Sequence, residues 1–205
     1  MQQIPHFKMP EPAEVQRLVR RHPWATLVTA ASTGLVASHY PILLDEEADG
    51  IVLLTHFGKE DARMHESGRH EVLVIVQGPH DYVSSSWYAP GDDVPTWNHL
   101  TAHLYGTPEL LDDEANFQVL TRLTDVFEHG RPGARSTLDD EATSRRIAKG
   151  TVGLRIPITR FDAKWKLSQN KPVEVRGRIE AELAQASPPL AAEMRRMRER
   201  TDASD

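Results

Sequence analysis

The chain has 205 residues, 39% of them hydrophobic, enough for one sizeable core and short for two independent domains without a visible linker. With 30 acidic against 24 basic residues the formal charge is −6, which repels polyanions unless cations gather on one face. Cysteine is absent, so disulfides, thiolate metal sites and cysteine nucleophiles are excluded together.

Met1 to Pro12 is charged and proline-bearing and lacks the apolar core of a signal peptide, and no stretch approaches membrane-spanning length. The expectation is a cytoplasmic protein that does not enter a membrane. Pro10 and Pro12 suit a helix entry, and Val15, Leu18, Val19 and His22 recur at helical spacing until Pro23 stops the helix. Four runs rich in Val, Ile, Leu and Thr then predict strands: Ala25 to Ala30, Val36 to Leu44, Ile51 to Thr55 and Val72 to Gln77. Gly34 separates the first two, and the acidic, glycine-ended Asp45 to Gly50 predicts a hairpin turn before the third. Between Phe57 and Gly68 the pattern breaks into a loop and a short polar helix ended by glycine.

Tyr82 to Tyr88 suits another extended piece, and Ala89 to Pro95, with two prolines, a glycine and two aspartates, predicts a surface loop. From His99 to Tyr105 apolar and polar residues alternate with the period of a strand. Asp112 and Asp113 offer an N-cap to a helix striped by Phe117, Leu120, Leu123, Thr124 and Phe127 and closed by Gly130 and Pro132. Arg131 to Asp140 is a connector, Val152 to Ile158 a strand, Phe161 to Asn170 a following piece, and a charged helical tail surrounds Met194 to Arg200. Short antiparallel strands with helices inserted between them predict an α+β, mainly β fold built on a closed or partly closed barrel, because closure removes exposed edges. One domain is expected over residues 1–205, with a barrel core over 24–170 and a helical tail over 171–205.

Five local strings occur in one order: Ser38-His39-Tyr40-Pro41; His56-Phe57-Gly58-Lys59; Gly78-Pro79-His80-Asp81-Tyr82 running to Ser86-Trp87-Tyr88; Val94-Pro95-Thr96-Trp97-Asn98; and Lys166-Leu167-Ser168-Gln169-Asn170. In these the chain resembles the PaiB family, FMN-binding split-barrel proteins of the pyridoxamine-phosphate-oxidase-like group, across nearly its whole length. The resemblance implies an antiparallel split β-barrel with inserted and flanking helices, FMN as cofactor, and a homodimer with the cofactor at the subunit interface. It departs from the family at Lys59, where Arg is usual, at Glu60-Asp61, where an Ala-Asn pair is usual, and at Lys171, where Arg is usual.

A flavin phosphate needs cations and N–H donors, and the ring needs an apolar slot with a few hydrogen bonds. Thr55 and the backbone of Gly58 and Lys59, at the start of the short helix, supply the implied phosphate end, with Lys59 adding the positive charge, and His56 is a further implied cofactor-binding residue. Ser38 and His39 supply donors for the ring. Lys166, Ser168, Gln169 and Asn170 are implied to arrive from the second subunit. Trp97 and Asn98 are further candidates, although a Trp before a strand equally suits a packing anchor. From the residues alone, Lys59 and Arg63 also suit a solvated helix face, and the Lys166 to Asn170 string an ordinary polar turn.

The ten histidines do not assemble a metal site by spacing, since His99 and His103 on one strand would stand roughly 13 Å apart. No catalytic residue is assigned, and no nucleophile elbow, Walker loop, dinucleotide fingerprint or His-Glu-x-x-His helix is present. The resemblance implies negative transcriptional regulation, with DNA contacted directly or indirectly; no helix-turn-helix pair is visible, and the basic run Met194 to Arg200 suits a solvated helix. Two other functions stay open: a flavin-dependent oxidoreductase or flavin reductase acting on a small molecule, and a cofactor-free interaction module, which Glu60 and Asp61 favour.

Overall fold

A computed structural model describes residues 1–2, 4–88 and 94–202. Most of the loop expected over Ala89 to Pro95 therefore lies outside the described residues. The chain divides into two compact units, one of Pro12–Val76 and His103–Phe161, the other of Met1–Glu11, Gln77–Ala102 and Asp162–Asp205.

The larger unit opens with helix α1 (Pro12–Arg21), whose Val15, Leu18 and Val19 are buried as the spacing requires, with Pro at its first position. Strands β1 (Trp24–Ala31) and β2 (Gly34–Pro41) form a hairpin whose register runs from Ala31 opposite Gly34 to Trp24 opposite Pro41. Gly34 has φ +120°, a conformation that favours glycine and lets the chain reverse tightly after Ser32 and Thr33. On its other side β1 pairs antiparallel with Val72 to Val76 of β5 (Val72–Val83), so β2 is an edge strand and tolerates Pro41 at its end.

A second antiparallel sheet follows the order β3-β4-β8-β7, with β3 (Leu43–Leu44), β4 (Val52–Gly58), β8 (Thr151–Pro157) and β7 (Glu109–Leu110). Helix α2 (Lys59–Met64) starts where β4 ends. Helix α3 (Asp113–Glu128) is capped by Asp112, whose carboxylate accepts the Ala115 amide at 2.8 Å, and it packs Val119 and Leu123 against Leu54 of β4. The helix backbone approaches β8 closely at Gly153: a Cβ there would lie 2.9 Å from Asn116 Cα. The segment after the Arg131 to Asp140 connector forms helix α4 (Glu141–Ala148), an element the sequence pattern did not reveal. Its apolar positions are sparse, and it is set instead by Asp140, which caps it through the Thr143 amide at 3.1 Å.

The smaller unit is built on Gln77 to Val83 of β5, Thr96 to Ala102 of β6 (Thr96–Gly106) and Asp162 to Lys166 of β9 (Arg160–Lys166), with β6 in the middle. Tyr82 to Tyr88 is not extended throughout, because Ser84 caps a short 3₁₀ turn over Ser85–Trp87. The expected tail is a pair of helices, α5 (Val173–Ala186) and α6 (Pro188–Asp202), turned at Ser187. Val175, Ile179 and Leu183 recur every four residues on α5 and are buried, as are Leu190, Ala191 and Met194 of α6. Trp165, Leu100 and Leu167 are buried in the same unit, each stabilising it by about 1.5–3 kcal/mol.

No helix among the described residues is long and apolar enough to cross a membrane.

Candidate functional site

The expected phosphate end is a closed hydrogen-bonded junction where β2, β4 and α2 meet. The Gly58 amide donates to the Tyr40 hydroxyl at 3.0 Å, and the Lys59 amide donates to the Gly150 carbonyl at 3.0 Å. Tyr40 in turn donates to the Asp61 carboxylate, whose other oxygen accepts Ser38 Oγ at 3.1 Å. Burial, then the bond to Asp61, raises the Tyr40 pKa above its ordinary value. Thr55 is fully buried, and its hydroxyl donates to the Pro41 carbonyl at 2.7 Å.

Behind Ser38 stands His65, also buried. Its Nε2 lies 3.1 Å from Ser38 Oγ, and its Nδ1 lies 2.8 Å from Thr29 Oγ1. Because the Ser38 proton goes to Asp61, Nε2 must carry the proton it gives to Ser38, and Nδ1 must accept from Thr29. The tautomer is thus fixed by bonding at both ends. Burial lowers the His65 pKa, with Asp61 opposing the shift. Sequence reasoning missed Thr29, Tyr40 and His65; the one local signal was the alternation that puts Ser38 and Tyr40 on the same side of β2.

That alternation also separates Ser38 from His39, since neighbouring residues of a strand face opposite sides. His39 projects from the open face of the first sheet, where its Nδ1 lies 3.0 Å from Thr26 Oγ1 of the paired position. Around this pair the face is apolar: Leu35 and Trp24 are 81% and 64% exposed, with Val28, Ala37, Leu73 and Ile75 in register between them. His56 stacks edge-on against Tyr40 at 5.4 Å, and its Nδ1 is buried without a hydrogen-bond partner among the described residues. Burial holds its pKa below the ordinary value.

In the smaller unit the Lys166 to Asn170 string is a tight turn. Ser168 adopts φ +60° and exchanges hydrogen bonds with the buried Asn98 at 3.0 and 3.1 Å. Gln169 accepts from the Leu167 amide at 2.7 Å and donates to the Trp165 carbonyl at 2.6 Å. Ser168, Gln169 and Asn98 therefore serve the turn itself. Asn170 is exposed, and Lys166 is half-buried with its ammonium donating to Thr96 Oγ1. Trp97 is exposed, on the side of β6 opposite Asn98.

Residues 1–160 match the family model described as "Putative FMN-binding domain". The chain belongs to this family, the PaiB family of FMN-binding proteins. A relative in Bacillus subtilis, "Protease synthase and sporulation protein PAI 2", is 32% identical over 171 residues, which is 81% of either chain. Among solved structures, an FAD and heme binding protein from Mycobacterium smegmatis superposes with a TM-score of 0.62 at 20% identity, covering 85% of this chain and 79% of its own. A flavocytochrome from Azotobacter vinelandii gives 0.59 at 12% identity, covering 77% and 68%. At these identities the likeness is one of fold.

FMN is the cofactor of the PaiB family, and the chain fits its two ends unequally. The open face of β1, β2 and β5, with the Thr26 and His39 pair at its centre, suits a flat apolar ring that needs a few polar contacts. The partnerless Nδ1 of His56 is a buried ring atom for a ligand to satisfy. The junction at Gly58 does not suit a phosphate in the form that the residues suggested, because both amides are engaged and Asp61 brings a carboxylate. What it offers an anion is the exposed Lys59 side chain.

Proposed function

We propose that this chain is a cytoplasmic, homodimeric flavin-binding regulator of the PaiB type, its sheets closing as a split barrel and its flavin ring held on the open face of β1, β2 and β5. The observation that carries this reading is the exposure of Leu35 and Trp24 on a sheet face that also carries a polar pair, Thr26 and His39. Exposed large apolar side chains gathered on one sheet face of a folded domain mark a surface that something covers. Here a ring and a second subunit cover it together, with the partner's string around Lys166 closing over the ring through its ammonium and Asn170. Bound FMN supplies the capacity to accept and pass hydride or electrons. The chain's own groups bind and orient: Lys59 answers the phosphate charge, His39 and Thr26 fix the ring edge, and the apolar side chains exclude water.

On this reading repression acts without a dedicated DNA-reading helix among the described residues. Of the basic run on α6, Arg195 and Arg198 pair with Glu180 at 3.5 and 2.9 Å, and Arg200 pairs with Glu11 at 3.5 Å. Arginines committed to internal carboxylates make a poor phosphate-tracking row. The same observation favours a second reading, a flavin-dependent oxidoreductase acting on a small molecule or a reduced nicotinamide.

Titration of the purified chain with FMN, followed by flavin fluorescence and light scattering, tests the binding and the dimer; a monomer that leaves FMN fluorescence unchanged overturns both. Transcript profiles of cells lacking the chain then separate the readings. Regulation predicts derepressed genes, whereas FMN-dependent oxidation of a reduced nicotinamide with unchanged transcripts assigns the enzyme.

A further inference from the structure

The helix pair of the smaller unit leaves one charge without a counter-charge. Arg176 and Glu180 lie four residues apart on α5, beside the buried stripe of Val175, Ile179 and Leu183, a spacing at which two such side chains ordinarily meet. Here the facing helix takes the carboxylate: Arg195 and Arg198 of α6 reach Glu180 at 3.5 and 2.9 Å. Arg176 is half-buried and forms no ion pair among the described residues, and its Nε is fully buried without a hydrogen-bond partner among them.

The same guanidinium lines a cavity of about 30 Å³, together with Leu167, Met194, Met197, Glu180 and Arg198. Leu167 and Met194 are buried, so much of the wall is aliphatic or thioether and offers no acceptor. A buried N–H on a charged group is costly to leave unpaired, and the only lining carboxylate among the described residues already serves two other arginines. Water would satisfy the N–H and leave the charge uncompensated, whereas an anion does both. The space suits about one or two water-sized particles, and methionine sulfur favours a polarisable neighbour.

From this we infer that the cavity is a halide site, in which a chloride ion accepts the Arg176 Nε–H and supplies the counter-charge that Glu180 does not. The ion stands among α5, α6 and the turn that carries Leu167, and so ties the two C-terminal helices to that turn. The cavity is far below the roughly 300 Å³ and upward of a pocket for an organic ligand, so neither a flavin nor another nucleotide competes for it. The inference stands apart from the flavin reading, and its test contains no flavin.

The experiment is thermal unfolding of the full chain from about 1 to about 100 mM chloride, with gluconate holding the ionic strength constant. A ligand that binds only the folded state raises Tm with its concentration, and a rise of about 3–6 °C is expected. Arg176→Met removes the charge together with the need for an ion. Its Tm should be independent of chloride and, at the lowest concentration, equal to or above that of the parent. Arg178→Met, at an exposed position of the same helix, should keep the parent's response. Crystals grown in sodium bromide should show an anomalous peak within hydrogen-bonding distance of Arg176 Nε. A parent chain whose Tm ignores chloride overturns the proposal, as does a response that survives in Arg176→Met. A bromide map without that peak overturns it in favour of water, and a peak without a chloride-dependent Tm overturns it in favour of an adventitious ion only.

Discussion

Ser38 donates its hydroxyl proton to the Asp61 carboxylate at 3.1 Å, across 23 residues of sequence. With Tyr40 on the other oxygen and the Gly58 amide on Tyr40, the bond makes Asp61 the common acceptor of the junction between β2, β4 and α2. A carboxylate thereby stands beside the place where the resemblance implies a cofactor phosphate, joined to the Gly58 amide through Tyr40.

Asp61→Asn removes the charge while keeping the shape. It should cost about 1–3 kcal/mol of stability, since an amide cannot accept both hydroxyls as a carboxylate does. FMN affinity should rise threefold or more, and Lys59→Glu should lower it. If fluorescence titration gives both variants the parent's affinity, the phosphate does not bind at this junction.

Acid should weaken the fold. His65, His56 and His99 are each held below their ordinary value of 6.5 chiefly by burial. A histidine with a depressed folded value binds fewer protons folded than unfolded, so stability is complete above the ordinary value and falls as the pH drops through it toward the folded one. The urea midpoint should therefore decline from about pH 7.5 to about pH 5.5, and His65→Gln should flatten part of that decline. A midpoint that rises on acidification contradicts the assignment.

Leu35→Glu separates the monomer from the dimer. The position is exposed in the single chain, so the substitution should change monomer stability by no more than about 0.5 kcal/mol. In a covered interface it buries an unpaired charge, and light scattering should report a monomer. A dimer that survives the substitution places the subunit contact elsewhere.

Gly153→Ala probes the approach of α3 to β8. Its Cβ would meet Asn116 Cα at 2.9 Å, backbone that cannot swing aside, so a loss of about 1–3 kcal/mol is expected in thermal or urea unfolding. Since Gly153 pairs with His56 in the ladder, FMN binding should weaken with it.

Much of the strand order was legible before any coordinates. The runs around Ala25, Val72, His99 and Val152 lie in strands and the run after Ile51 lies in β4, whereas the single strand expected over Val36 to Leu44 is divided at Ile42 into β2 and β3 of different sheets; Asp112 caps α3 as its position suggested. Helix α4 escaped notice, and α5 was not set apart within the expected helical tail, for different reasons. The first is held by a cap and by α3 rather than by an apolar stripe, and the second carries its stripe at a four-residue spacing diluted by charged neighbours. Within the candidate site, strand alternation alone separates Ser38 from His39. The engagement of Ser168 and Gln169 in their own turn could not be read from their identities, because the same side chains serve a ligand or a backbone equally well.

The order of motifs, the hairpin after β1 and the family itself are written in residues that lie close together in the chain, where periodicity and turn chemistry act locally. Which groups are free to meet a ligand is a tertiary matter. Thr29 reaches His65, Tyr40 reaches Asp61 and Asn98 reaches Ser168 only because strands and turns far apart in sequence converge, and a buried donor takes whatever acceptor the fold brings to it.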